Sequence, residues 1–79
     1  MKLQVTLDTM SVAAGISLLA DVAPYVDIIE VGTPLLLDAG MQAITEVKRA
    51  FPDVEVLADT KIWHDGTRIT ACALDHGAD

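Results

Sequence analysis

Hydrophobic and polar positions alternate strictly along KLQVTLD, with Leu3, Val5 and Leu7 on one side and Gln4, Thr6 and Asp8 on the other, which is the period of a β-strand. From Ser11, a plausible N-cap, the period changes. Val12, Ile16, Leu19, Ala23 and Val26 recur at spacings of three and four, which predicts a helix over residues 12–23 ended by Pro24. DIIEVG is a short β-branched run holding one acid, Glu30, as expected of a strand covered on both faces. GTPLLLDAG reads as a loop. Met41, Ile44, Val47 and Phe51 then return to helical spacing, with Glu46, Lys48 and Arg49 on the other sides and Pro52 as the stop. VEVLADTK reads as a third strand, and DGTRITACALDHG as a third helix from near Asp65 to near Gly77.

The order is strand, helix, strand, helix, strand, helix, with strand starts near residues 2, 27 and 54. Such alternation predicts a parallel sheet joined by right-handed crossovers. The closing GAD looks like the lead-in that precedes Ile28, with its strand missing. The expected fold class is therefore α/β, with parallel βα units that are the first three of a (βα)8 TIM barrel of roughly 200 to 250 residues. On this reading residues 1–79 are the N-terminal part of a single barrel domain, cut before strand 4. A freestanding three-stranded doubly wound unit is the competing architecture.

Composition narrows the class. The chain is 79 residues long, 52% hydrophobic but only 4% aromatic, with Val, Ile, Leu and Ala supplying the apolar mass of an α/β interior. A chain of this length hides only roughly 60% of its unfolded surface, so a self-sufficient core would be small. Twelve acids against five bases leave a net charge of −7, which disfavours nucleic acid and anionic membranes as partners. The single Cys72 cannot form an internal disulfide and reads as a reduced core thiol, which suits a cytoplasmic protein. No signal peptide is visible and no run approaches the roughly 18 apolar residues of a membrane span.

The candidate chemistry sits late in the strands. Residues i and i+2 of a strand share a face, so Asp59 and Lys61 are expected to point the same way, inward if Val54, Val56 and Ala58 pack outward on helices. Asp8 and Glu30 hold the equivalent positions of strands one and two, and such C-terminal ends converge where barrels place ligands. Three carboxylates against one ammonium leave two surplus negative charges, which would push at least one acid toward protonation. A hard divalent cation such as Mg²⁺ removes that conflict, because it binds through one or two carboxylates, waters and substrate oxygens. The alternative is a structural Asp59–Lys61 ion pair with Asp8 and Glu30 solvated at the rim.

His64 and Asp65 fall at the junction of strand three and its helix. There Asp65 is expected to cap the helix, while His64 is either solvated or an acid–base group near neutral pH. Trp63 is read as packing or an interface anchor, Arg68 as solvent-facing and His76 as a favourable charge at a helix C-terminus. There is no glycine-rich phosphate loop, metal-spaced Cys/His cluster or nucleophile elbow.

MKLQVTLD, VDIIEVGTPLLLDAG, FPDVEVLADTKI and the final GAD together resemble the N-terminal part of the 3-hexulose-6-phosphate synthase and 3-keto-L-gulonate-6-phosphate decarboxylase family, of the orotidine monophosphate decarboxylase-like barrels. The resemblance implies a lyase that uses Mg²⁺ to stabilise a cis-enediolate formed on a ketose phosphate. The synthase adds formaldehyde to ribulose 5-phosphate, and the decarboxylase reaches the enediolate by losing CO₂. A non-catalytic homologue or barrel fragment with a structural charge network is the other reading. By the family's Asp-x-Lys-x-x-Asp signature, Asp59 and Glu30 would hold the metal, Lys61 would be the active-site lysine and Asp8 would contact the sugar phosphate. The signature's second aspartate should stand at position 64, where this chain has His64 with Asp65 beside it. In relatives that aspartate reaches the neighbouring subunit, so the resemblance implies a homodimer with its active site at the interface, where His64 or Asp65 takes that role. The phosphate-gripping loops of such barrels lie beyond these 79 residues, so the chain by itself should be inactive. A lone three-stranded parallel sheet, with two free edges and one bare face, should also self-associate or fold poorly.

Overall fold

The computed structural model describes residues 1–79. Strand β1 (Gln4–Leu7) leads into α1 (Val12–Val22), and β2 (Ile28–Val31) into α2 (Thr33–Ala39) and α3 (Gln42–Ala50). Strand β3 (Glu55–Ala58) leads into α4 (Gly66–Asp75). The three strands form one parallel sheet in the order β1-β2-β3, with Gln4 opposite Ile28 and Ile28 opposite Glu55. These are three consecutive parallel βα units, as the periodicity predicted.

Strand parity decides what is buried. Leu7, Ile29, Val31 and Val56 are fully buried on the helix side, where they join Leu19, Leu35, Ala43, Ile44, Val47 and Ala73 in one cluster. Each large member contributes about 1.5–3 kcal/mol by leaving water. Gln4, Thr6, Glu55 and Leu57 point to the other side and stay exposed. The expectation that β2 is covered on both faces fails for this reason: Ile28 and Glu30 are only half-buried, because all the helices lie on one side. The molecule is 19 Å along its shortest axis, the depth of a sheet and a single helical layer.

Local chemistry sets the helix ends. The Ser11 hydroxyl accepts the Ala14 N–H at 3.1 Å, and a 3₁₀ turn over Ala23–Tyr25 carries Pro24 past the end of α1. The segment read as a loop, GTPLLLDAG, is helix α2. Pro34 in its first turn needs no N–H partner, Leu35 reaches the core, and Gly40 closes it at φ 72° while donating to the Leu36 carbonyl at 2.8 Å. Lys48 and Arg49 lie in the last turn of α3, where positive charge suits the helix dipole. Asp65 stands at the N-cap position of α4, yet its side chain makes no capping bond because its backbone is left-handed, at φ 57°. That corrects the expected cap. His76 ends α4 as anticipated, with Nδ1 2.7 Å from the Cys72 carbonyl oxygen. Cys72 is a free, half-buried thiol rather than a core one.

The same carboxylate latch closes two unit boundaries. Asp27 donates its N–H to the Leu3 carbonyl at 2.9 Å and accepts the Leu3 N–H on Oδ2 at 2.8 Å. Asp79 does the same at Val56, at 2.8 Å and 2.9 Å, and its Oδ2 also takes the Lys48 ammonium at 2.7 Å. Lys48 and the Val56 N–H hold the Asp79 carboxyl below the usual carboxylate range. A lowered folded-state value stabilises the fold above the unfolded value, and that contribution is lost as pH falls through the lowered one. Asp79→Asn should therefore cost about 1 kcal/mol at neutral pH. In paired thermal melts the gap from the parent should close toward strongly acidic pH, and a pH-independent gap would assign the loss to shape instead of charge.

Candidate active site

On the open face the ladder continues past the strands: the Gly32 N–H donates to the Leu7 carbonyl at 2.8 Å and the Asp59 N–H to the Val31 carbonyl at 3.0 Å. These bonds put Asp8, Gly32 and Asp59 in one row, one step beyond the row of Thr6, Glu30 and Leu57. The central glycine makes room. A Cβ on Gly32 would stand 1.9 Å from Asp8 Oδ1 and 2.7 Å from the Leu7 carbonyl oxygen, so the Asp8 carboxylate lies where any other residue would place its side chain.

Asp59 and Lys61 meet, but not by strand alternation. β3 stops at Ala58 and Lys61 adopts the left-handed region at φ 50°, so a turn brings the ammonium back onto Asp59 Oδ2. Asp59 Oδ1 accepts the Lys61 backbone N–H at 3.3 Å. Thr33, at the start of α2, donates its hydroxyl to the Asp59 carbonyl and so fixes the end of β3 against the neighbouring unit. Glu30 is held from β1: its Oε2 accepts Gln4 Nε2 and Thr6 Oγ1, each at 2.7 Å.

The charges of the four groups act on one another. The Lys61 hydrogen bond, followed by its charge and backbone N–H, holds the Asp59 carboxyl below the usual range, and the neighbouring Glu30 carboxyl acts in the same direction. Lys61 is raised above the ordinary lysine value, chiefly by its bond to Asp59 and then by the charges of Asp59, Glu30 and Asp8. Crowding was expected to drive at least one acid toward protonation; Asp59 moves the opposite way, because its ammonium partner outweighs its acidic neighbours. No three carboxylate, imidazole or thiol groups converge into a preformed metal cage. The donor set is hard oxygen from Glu30 and Asp59, which fits an ion that takes two protein carboxylates and fills its other positions with water or substrate.

His64 and Asp65 stay apart from this cluster. Both are exposed on the loop between β3 and α4 and neither side chain makes a hydrogen bond or ion pair. Trp63 beside them is 94% exposed, so it packs on nothing within the chain. Arg68 is exposed, as read from the sequence. The alternation did not single out Gln4, Thr6, Gly32 or Thr33. Register could have found the first two, since a polar residue opposite Glu30 on β1 must lie beside it. An apolar groove of about 310 Å³ lies away from the acids along the free edge of β3, between Leu57, Ala58, Ile62, Leu74 and Ala78. No helix is long and apolar enough to cross a membrane.

The fold and the acid–lysine mouth at the strand ends define the first three βα units of a (βα)8 barrel. Residues 1–77 match the model of the orotidine 5′-phosphate decarboxylase / HUMPS family, and the chain belongs to that family. It is 48% identical over 79 residues to 3-hexulose-6-phosphate synthase of Mycobacterium gastri, covering all of this chain and 38% of that one. It superposes on the crystal structure of 3-hexulose-6-phosphate synthase from Salmonella typhimurium with a TM-score of 0.98 at 43% identity, covering 100% of this chain and 37% of that one. The decarboxylase KGPDC of Streptococcus mutans, solved in complex with a ribose 5-phosphate ligand, gives 0.91 at 35% identity over 99% of this chain and 36% of its own. The chain thus spans little more than a third of the length of the relatives it matches.

Proposed function

We propose that these three units form part of a lyase acting on a ketose phosphate, joining formaldehyde to ribulose 5-phosphate to give 3-hexulose 6-phosphate. The observation that carries the reading is the convergence of Asp8, Glu30, Asp59 and Lys61 on one mouth, in a chain 48% identical to a synthase of that activity. Glu30 and Asp59 would hold Mg²⁺, which when bound would supply a Lewis acid for the oxygens of an enediolate. Lys61 presents an ammonium at the same place, where it stabilises developing oxyanion charge and hands a proton to or from the carbon skeleton. Asp59 keeps that ammonium in position. Asp8, over the Gly32 gap, accepts a hydrogen bond from a substrate hydroxyl.

The β3-edge groove, with Asp79 latched at its start, suits the next parallel strand of a closed barrel. That supports residues 1–79 as the N-terminal portion of one barrel domain. Exposed Trp63, with His64 and Asp65, supports a homodimer in which this loop completes the partner's site. A cytoplasmic setting goes with such metabolism. Decarboxylation of 3-keto-L-gulonate 6-phosphate is the second reading, favoured by the likeness to the Streptococcus mutans enzyme.

The test is a chimera in which residues 1–79 replace the matching segment of the Mycobacterium gastri synthase. We expect formaldehyde-dependent consumption of ribulose 5-phosphate, lost with chelator and restored by Mg²⁺. CO₂ release from 3-keto-L-gulonate 6-phosphate would instead select the decarboxylase. A folded, dimeric chimera inactive on both substrates would leave only a structural charge network.

A further inference from the structure

Glu30 is the one acid of the mouth whose carboxylate is gripped from a neighbouring strand. Its Cα partner across the ladder is Thr6, and Gln4 lies two residues earlier on the same face. Both donate to a single oxygen, Oε2, at 2.7 Å, the short range of charge-assisted bonds. No hydrogen bond from the chain occupies Oε1. A glutamate has three side-chain torsions to lose, and an exposed one without partners samples many rotamers. Two donors converging on one oxygen remove that freedom and saturate one side of the carboxylate, while the other side stays open toward Asp59. Ordinary pairing across an exposed sheet face would place one donor opposite each acid. Here two successive open-face positions of β1 serve the same atom, and Val, the apolar isostere of Thr, would suit a strand at position 6 at least as well.

We infer that Thr6 and Gln4 are positioning residues: by occupying Oε2 they hold Glu30 with Oε1 free beside Asp59, where a divalent cation and the oxygens of a ketose phosphate meet. The inference rests on the function proposed above and adds to it the two groups that set the geometry of its carboxylate pair. Neither residue touches the reacting atoms. Each acts through Glu30, in the way that outer-shell partners orient the ligands of metal sites.

The experiment uses Mn²⁺ as a paramagnetic stand-in for Mg²⁺, with free Mn²⁺ measured by electron paramagnetic resonance, in the full-length chain and in parallel in the chimera. Thr6→Val should weaken Mn²⁺ binding about 10-fold, and Thr6→Val combined with Gln4→Met about 100-fold. Thr6→Ser, which keeps the hydroxyl, should stay close to the parent. The circular dichroism of all variants should match the parent, since position 6 lies outside the core. If the parent and Thr6→Val bind Mn²⁺ equally well, or if Thr6→Ser is as weak as Thr6→Val, the positioning role is wrong while the proposed function stands. A parent that takes no Mn²⁺ overturns the carboxylate site itself, and the inference with it.

Discussion

Gly32→Ala should be the most damaging single-atom change in the chain. A methyl at that position meets the Leu7 carbonyl oxygen at 2.7 Å and Asp8 Oδ1 at 1.9 Å. The side chain can swing away, but the carbonyl belongs to the ladder and accepts the Gly32 N–H itself. Relief therefore requires β1 and β2 to part at their C-terminal ends. Overpacking of this kind costs about 1–3 kcal/mol, which in a domain of this size lowers Tm by roughly 10 °C. Gly32 is extended at φ −72°, so the cause is space and not backbone strain. Gly40→Ala makes the opposite control, with φ 72° and nothing within 4 Å of the added carbon. It should lose only the modest amount due to a left-handed alanine, about 1 kcal/mol. Calorimetry of the two variants separates the causes, and a Gly32→Ala variant as stable as Gly40→Ala would show that the two strands yield freely. Gly32→Ala should also displace Asp8 from the mouth, so that whatever folds binds the sugar phosphate weakly.

Asp59→Asn should damage function and spare the fold. The amide keeps the shape of the carboxylate and removes its charge, so Lys61 loses its anion and Glu30 is left as the only charged partner for a cation. In the chimera kcat should fall on the order of 10²- to 10³-fold, the usual cost of deleting one electrostatic contact to a developing charge. Melting should change little, because the pair stands at a solvent-accessible rim and exposed ion pairs contribute little. An equal loss of stability and activity would mean that Asp59 is a structural residue. The pH response follows from the shifts. Asp59, lowered by Lys61, keeps its stabilising charge above the ordinary carboxylate value and loses it as pH falls through the lowered one. Lys61, raised by Asp59, contributes below the ordinary lysine value and stops as pH rises through the raised one. Between those limits both stay charged, so a pH–rate break near neutrality would belong to another group.

Much of this architecture is legible in the alternation of side chains. Leu3, Val5 and Leu7 announce β1, and the three-and-four spacing from Val12 announces α1, because one-sided burial imposes those periods. α2 escapes for a physical reason: at seven residues, with Leu35, Leu36 and Leu37 in succession, it is too short to display a polar face. Its end signals, Pro34 and Gly40, are present in the sequence, and they outweigh the missing period. The four charged residues of the mouth were legible as a group because three of them close successive strands. The route by which Lys61 reaches Asp59 was not, since a positive φ at lysine leaves no mark on a pattern of polarity. Nor could alternation show that Glu30 is held by β1, because hydrogen bonds across the sheet depend on register between segments more than twenty residues apart.

The division of each strand by parity has a consequence for how such a protein can change. Val5, Leu7, Ile29, Val31, Val56 and Ala58 secure the scaffold, while Gln4, Thr6, Asp8, Glu30, Leu57 and Asp59 look away from it. Adjacent codons therefore answer to separate selective pressures, and a lineage can try out new reactivity on one set while the other goes on folding the chain.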